Sequence, residues 1–118
     1  MRSLIRQSLL AEGGCLRIKG YSMFPLFISG TTVHVVNADP FSLSMGDVVL
    51  VTDNNSFQIH RLIRPIQEGK FQTAGDFTRG ADMPLSISYL SAKVVIPHNF
   101  FQRMCDRVMC AITLWRYS

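Results

Sequence analysis

Residues 47–63 read D-V-V-L-V-T-D-N-N-S-F-Q-I-H-R-L-I. Two runs rich in β-branched residues flank Asp53-Asn54-Asn55-Ser56, a tetrapeptide of turn chemistry. Branched and aromatic side chains suit a pleated surface, whereas Asp, Asn and Ser bond their own backbone in turns. The stretch therefore predicts a β-hairpin with strands at 47–52 and 57–63. The same pattern extends outward. CLRIK at 15–19 alternates, and TTVHVVN at 31–37 is β-branched. A short strand at 71–74 follows the turn Glu68-Gly69-Lys70, and SISYLSAKVVI at 86–96 reads as one strand or a pair. Asn37-Ala38-Asp39-Pro40 and Met45-Gly46-Asp47 supply turns between them.

Helical spacing occurs only at the two ends. Leu4, Ile5, Leu9 and Leu10 predict a short helix over 3–12, stopped by Gly13-Gly14. After Pro97-His98, Asn99 suits an N-cap. Phe101, Met104, Cys105, Val108, Met109, Ile112 and Trp115 then form one apolar stripe, with Arg103, Asp106 and Arg107 on the other face. Such a stripe is expected to pack on a core. Docking on a membrane or a partner is the lesser alternative. The expected fold is mainly β and single-domain: helix 1–12, β core 13–96 and amphipathic helix 99–116.

The chain has 118 residues, 47% hydrophobic and 17% charged, which is a folded composition with enough length for one core. The net charge of +4 is spread over scattered Arg and Lys, without a basic run or an aromatic-interleaved patch. Nucleic-acid binding is therefore not expected. A mild attraction for acidic peptides or an anionic surface fits the charge as well as a solvated face does. Cys15, Cys105 and Cys110 form no C-x-x-C pair and are expected as buried free thiols in a reducing compartment. No Cys/His spacing suits zinc, so neither metal nor cofactor is expected. No run approaches the ~18 apolar residues of a membrane span, and the N-terminus lacks a signal-peptide pattern. The expected location is cytoplasmic, with peripheral membrane contact through the last helix as the alternative.

Three segments carry chemistry: G-Y-S-M-F-P-L-F-I-S-G at 20–30, F-Q-I-H-R-L at 57–62 and F-Q-T-A-G-D-F-T-R-G-A-D at 71–82. A serine hydroxyl is a weak nucleophile until a base takes its proton. Gly20 and Pro25 suit a sharp turn that exposes Ser22 and aims its own N–H at a developing oxyanion. Strand alternation puts His60 on the polar side, opposite Phe57 and Ile59. Imidazole is a suitable base near neutrality, and either Asp76 or Asp82 is able to hold its tautomer, as in the Ser-His-Asp template. His34 and His98 are read as structural. Lys19, Lys70 and Lys93 would each need a strongly lowered pKa to act as base.

Taken jointly, G-Y-S-M-F-P, Gly46-Asp47-Val48-Val49, Ile59-His60-Arg61 and G-D-F-T-R-G-A-D at 75–82 resemble the signature of the signal peptidase I superfamily. The histidine at the base position, followed by arginine, is similar to the branch found in archaea and the endoplasmic reticulum. The resemblance covers residues 13 to about 96. It implies a serine endopeptidase with Ser22 as nucleophile and His60 as base. It favours Asp82 as the third member, with Asp76 shaping the loop. Some relatives carry a second, oxyanion-donating serine where this chain has Gly20. The oxyanion site is then expected to rest on backbone N–H groups, chiefly that of Ser22, with Gly20 and Met23 as neighbouring substrate-binding positions. Other departures are Thr31 after Gly30, Phe77 after Gly75-Asp76, and no membrane anchor. The resemblance implies an extended peptide substrate with small residues before the cut; a precursor or leader peptide is the expectation from the chain's size and the lack of a membrane span. Two other readings stay open: a catalytically inactive peptide-binding module, and a self-cleaving regulatory domain. The latter is disfavoured by the 21 residues before Ser22, too few for a helix-turn-helix domain.

Overall fold

The computed structural model describes residues 14–53 and 56–118. The helix expected over 3–12 lies outside them. The described strands are β1 (Gly14–Arg17), β2 (Thr32–Val36), β3 (Val48–Asp53), β4 (Ser56–Gln67), β5 (Lys70–Ala74), β6 (Leu85–Ser86) and β7 (Leu90–Val95), followed by helix α1 (Phe100–Arg116). They form one antiparallel sheet in the order β1-β2-β7-β3-β4-β5-β6.

The hairpin read from residues 47–63 pairs Val49 with His60, Leu50 with Ile59 and Asp53 with Ser56. Its second strand runs to Gln67, past the expected end at Ile63. Pro65 lacks a ladder donor, and the β4–β5 register shifts between Leu62 and Arg64 and again between Arg64 and Gln67 to accommodate it. Glu68 and Gly69, at φ 55° and 76°, then close a two-residue hairpin of the kind that needs two left-handed residues. The 86–96 segment is a pair of strands. A 3-10 turn at Ile87–Tyr89 lets the chain leave β5 and cross to β2 and β3.

The run V-V-L-V does not alternate because β3 is covered on both faces. Val48 and Leu50 join Met23, Leu26, Phe27, Val33, Val35, Ile59, Ala92 and Val94 on one side. Val49 and Val51 join Leu43, Leu62, Phe71 and Leu90 on the other. Each fully buried aliphatic side chain contributes ~1.5–3 kcal/mol. These clusters make β3 and β4 the rigid centre of the sheet.

Helix α1 starts as expected, with the Asn99 side chain accepting from the Gln102 N–H at 2.8 Å. Its orientation corrects the expectation of a core-packed stripe in large part: Cys105 of that stripe packs against the core, but most of the others do not. Phe101, Val108 and Trp115 are 59%, 50% and 77% exposed, while Thr113 is fully buried. The face turned to the sheet carries Asp106 and Thr113, which bond to Arg61 and Asp76. Stranding a buried charge costs several kcal/mol, more than leaving a few apolar side chains wet. The polar contacts therefore set the rotation of the helix. Among the described residues, no helix is long and apolar enough to cross a membrane.

Candidate active site

Ser22 sits on an excursion from the sheet. Past β1, Ile18 N–H donates to Thr31 O at 2.7 Å and Gly30 N–H to Ile18 O at 2.8 Å, so the segment between leaves and rejoins the sheet at one point. Gly20, at φ 79°, begins the turn in a conformation that L side chains rarely adopt. Met23, Leu26 and Phe27 are buried and pin the loop to the core, while Tyr21 and Phe24 point outward. Ser22 is partly exposed between them.

The loop after β5 braces this turn from the other side. Phe77 N–H donates to Ser22 O at 2.8 Å, and Asp76 N–H to Met23 Sδ at 3.4 Å. A Cβ on Gly75 would lie 2.7 Å from Ser22 O and 3.1 Å from Ser22 Cβ. Only glycine permits that approach of the two backbones.

His60 is 5% exposed, so the side of the strand it faces is buried. All five residues from Ile59 to Ile63 are buried, so the alternation seen at 57–60 does not continue. His60 Nδ1 stands 2.5 Å from Asp82 Oδ2. That oxygen also accepts from Thr73 Oγ1 at 2.7 Å. Gln72 Nε2 donates to Asp82 O, and Asp82 N–H to Thr73 O, both at 2.8 Å. Burial pushes the Asp82 carboxyl up, but the hydrogen bonds from His60 and Thr73 and the His60 charge outweigh it. The net position is below the usual carboxylate range.

Asp76 lies elsewhere. Its two oxygens take Arg61 Nε and Nη2, both at 2.8 Å, and Oδ1 also accepts from Thr113 Oγ1 at 2.8 Å. Arg61 completes its set with Gly46 O at 2.8 Å and Asp106 Oδ1 at 2.9 Å. Desolvation works against the Arg61 charge, yet the hydrogen bonds and charges of Asp76 and Asp106 hold the guanidinium protonated well above its ordinary range. Arg116 adds contacts from α1 to Asp76 O and Thr78 O. Among the described residues, no buried side-chain polar atom lacks a partner.

A cavity of about 560 Å³ opens beside the turn, and both Ser22 and His60 line it. Arg17, Lys19, Gln58 and Thr78 contribute polar groups, and Ile18 and Met23 an apolar floor. Among the described residues, no carboxylate belongs to the lining. No hydrogen bond joins Ser22 to His60; such contacts often tighten only when substrate binds. Of the expected site residues, the fold brings Ser22, Met23, His60 and Asp82 together, with Gly20 beside Ser22. It assigns Asp76 to Arg61 instead.

Thr73 and Thr113 do not figure in the sequence motifs, and Arg61 and Gly75 figure there without a supporting role. Arg61 had a visible signal: a lone charge between His60 and Leu62-Ile63 in a buried strand needs a partner. Cys15 is exposed rather than buried, with Sγ 3.3 Å from His34 Nδ1, while Cys105 and Cys110 are half-buried. Among the described residues, no cluster of three or more His, Cys, Asp or Glu is arranged to hold a metal. No family model matches the sequence, and no curated protein matches it significantly.

Proposed function

We propose that the chain is a serine endopeptidase with a signal-peptidase-like fold, acting on an extended precursor or leader peptide. The observation that carries this reading is the cavity shared by Ser22 and His60, with His60 Nδ1 held by Asp82. With Asp82 accepting from Nδ1–H, Nε2 is the lone-pair nitrogen that takes the Ser22 proton. Ser22 Oγ attacks the scissile carbonyl, and the imidazolium returns the proton to the leaving amine. Asp82 stabilises the imidazolium without itself becoming protonated. The Ser22 N–H is the backbone donor assigned to the oxyanion on this reading. The peptide is read as an added strand along the segment at Arg17–Lys19, which lines the cavity next to Ser22.

The test is mass-spectrometric cleavage of a diverse peptide library by the intact chain, Ser22→Ala and His60→Ala. Defined cuts that both variants lose support the peptidase. Equal or absent cutting by all three sinks it. A peptide-binding module is the second reading, favoured by the missing Ser22–His60 hydrogen bond. It predicts library peptides retained equally by the intact chain and Ser22→Ala, with no products.

A further inference from the structure

Among the described residues, the outward face of α1 is an apolar stripe without a packing partner, edged with cations. Phe100, Phe101, Met104, Val108, Ile112 and Trp115 are all exposed, from 41% at Ile112 to 82% at Phe100. Burying them would gain ~25 cal/mol per Å² of apolar surface, so a face of this kind signals a second phase or a partner. Arg103 and Arg107 are exposed along it, and together with His98 they line a cavity of about 510 Å³ with Phe100, Met104 and Val108. The one carboxylate of the helix, Asp106, is turned inward onto Arg61. The outward face therefore presents apolar surface and positive charge without an acidic group.

Charge decides the occupant. A two-fold contact between copies of this chain through this face would bring together two arginine-bearing faces with no acid on either to offset them. Residues 1–13 carry Arg2 and Arg6 against the single acid Glu12, so they too repel this face on balance. An anionic lipid surface complements both features: acyl chains take the stripe and headgroups take the arginines. We propose that α1 is an interfacial helix that docks the chain on anionic membranes, lying in the interface plane. At 17 residues it is roughly 25 Å long. Trp115, the only tryptophan in the sequence, stands exposed at its C-terminal end, and indole rings favour the headgroup level. The proposal rests on α1 alone and is independent of the reading of the cavity.

Trp115 also makes the test direct. The intact chain is mixed with vesicles of phosphatidylcholine alone, or of phosphatidylcholine and phosphatidylglycerol in equal parts. Tryptophan emission and co-sedimentation are then read. The expected result is a blue shift and co-sedimentation with the anionic vesicles only, weakened by added salt. Arg103→Gln and Arg107→Gln each weaken partitioning about fivefold, from the typical contribution of one cation at such a surface. Val108→Asp abolishes it while leaving the far-UV circular dichroism unchanged, since that side chain is solvent-facing. The proposal is overturned if emission does not shift with anionic vesicles, if both lipids bind equally, or if Val108→Asp binds like the unaltered chain. It is equally overturned if sedimentation equilibrium shows a dimer that Val108→Asp dissolves and no lipid binding.

Discussion

Arg61 grips Asp76 with two parallel hydrogen bonds of 2.8 Å, both side chains fully shielded from water, one residue after His60 in β4. Removing one member of such a pair strands the other charge, which typically costs ~3–5 kcal/mol. Arg61→Met is therefore expected to lower stability by about that much in urea denaturation. Replacing both residues by apolar ones recovers a good part of the loss, because no unpaired charge remains. A single-variant loss below about 1 kcal/mol contradicts the assignment. Asp76 lies in the loop that bonds Ser22 O, so Arg61→Met is also expected to lower any Ser22-dependent cleavage.

Gly75 is the second pressure point. Any Cβ there must displace Ser22 backbone or Thr78, each 2.7 Å away. Gly75→Ala is expected to cost ~1–3 kcal/mol by overpacking and to shift Ser22 from its turn. Gly80→Ala is the control, since a Cβ at Gly80 meets nothing within 4 Å. Thermal melts and library cleavage of the two variants should separate cleanly; matching behaviour would refute the close approach.

Asp82 imposes a pH dependence. Its carboxyl is held below the ~3.9 of a free aspartate, so ionised Asp82 stabilises the folded chain above about pH 4. That contribution is lost as pH falls through the lower, folded value. Urea midpoints compared between neutral and acid pH are expected to fall less in Asp82→Asn than in the unaltered chain. An equal fall in both would show that Asp82 gains nothing from His60 and Thr73. On the peptidase reading, Asp82→Asn also leaves His60 without its orienting acceptor. In the Ser-His-Asp template, the equivalent change slows turnover about 10⁴-fold.

Among the described residues, the cavity lining contains Arg17 and Lys19 and no acid. Among cleaved peptides, those with Asp or Glu flanking the cut are expected to react faster than lysine-bearing counterparts. Lys19→Glu should erase the preference, because the new carboxylate offsets Arg17. Because Lys19 is exposed, the effect is modest, up to about fivefold, and shrinks with salt. A kcat/KM ratio insensitive to both the substitution and ionic strength counts against an electrostatic role.

Much of the sheet was legible because local chemistry and global packing agree along it. The hairpin 47–63, the turn at Glu68-Gly69 and the Asn99 cap all follow from residues within a few positions of one another. The extension of β4 to Gln67 was hidden, because Pro65 argues against a regular strand and only bulged pairing with β5 rescues it. Ser22, His60 and Asp82 were named from motif order, and all three meet at or behind one cavity wall. The family resemblance favours Asp82 over Asp76 as the neighbour of His60, whereas residue chemistry alone leaves both open until spatial information separates them. Both lie in the loop after β5, and only the pairing of Arg61 with Ala74 places Asp76 next to a guanidinium.

By itself, the sequence determined the β-rich core, its turns and the presence of a C-terminal amphipathic helix. These depend on propensity and periodicity, which act over short range. Only the tertiary structure decided which face of that helix meets the sheet. Periodicity finds an apolar stripe but does not know what awaits it. Here a buried arginine and aspartate needed partners, Asp106 and Thr113 met that need, and the apolar stripe was turned outward as a result.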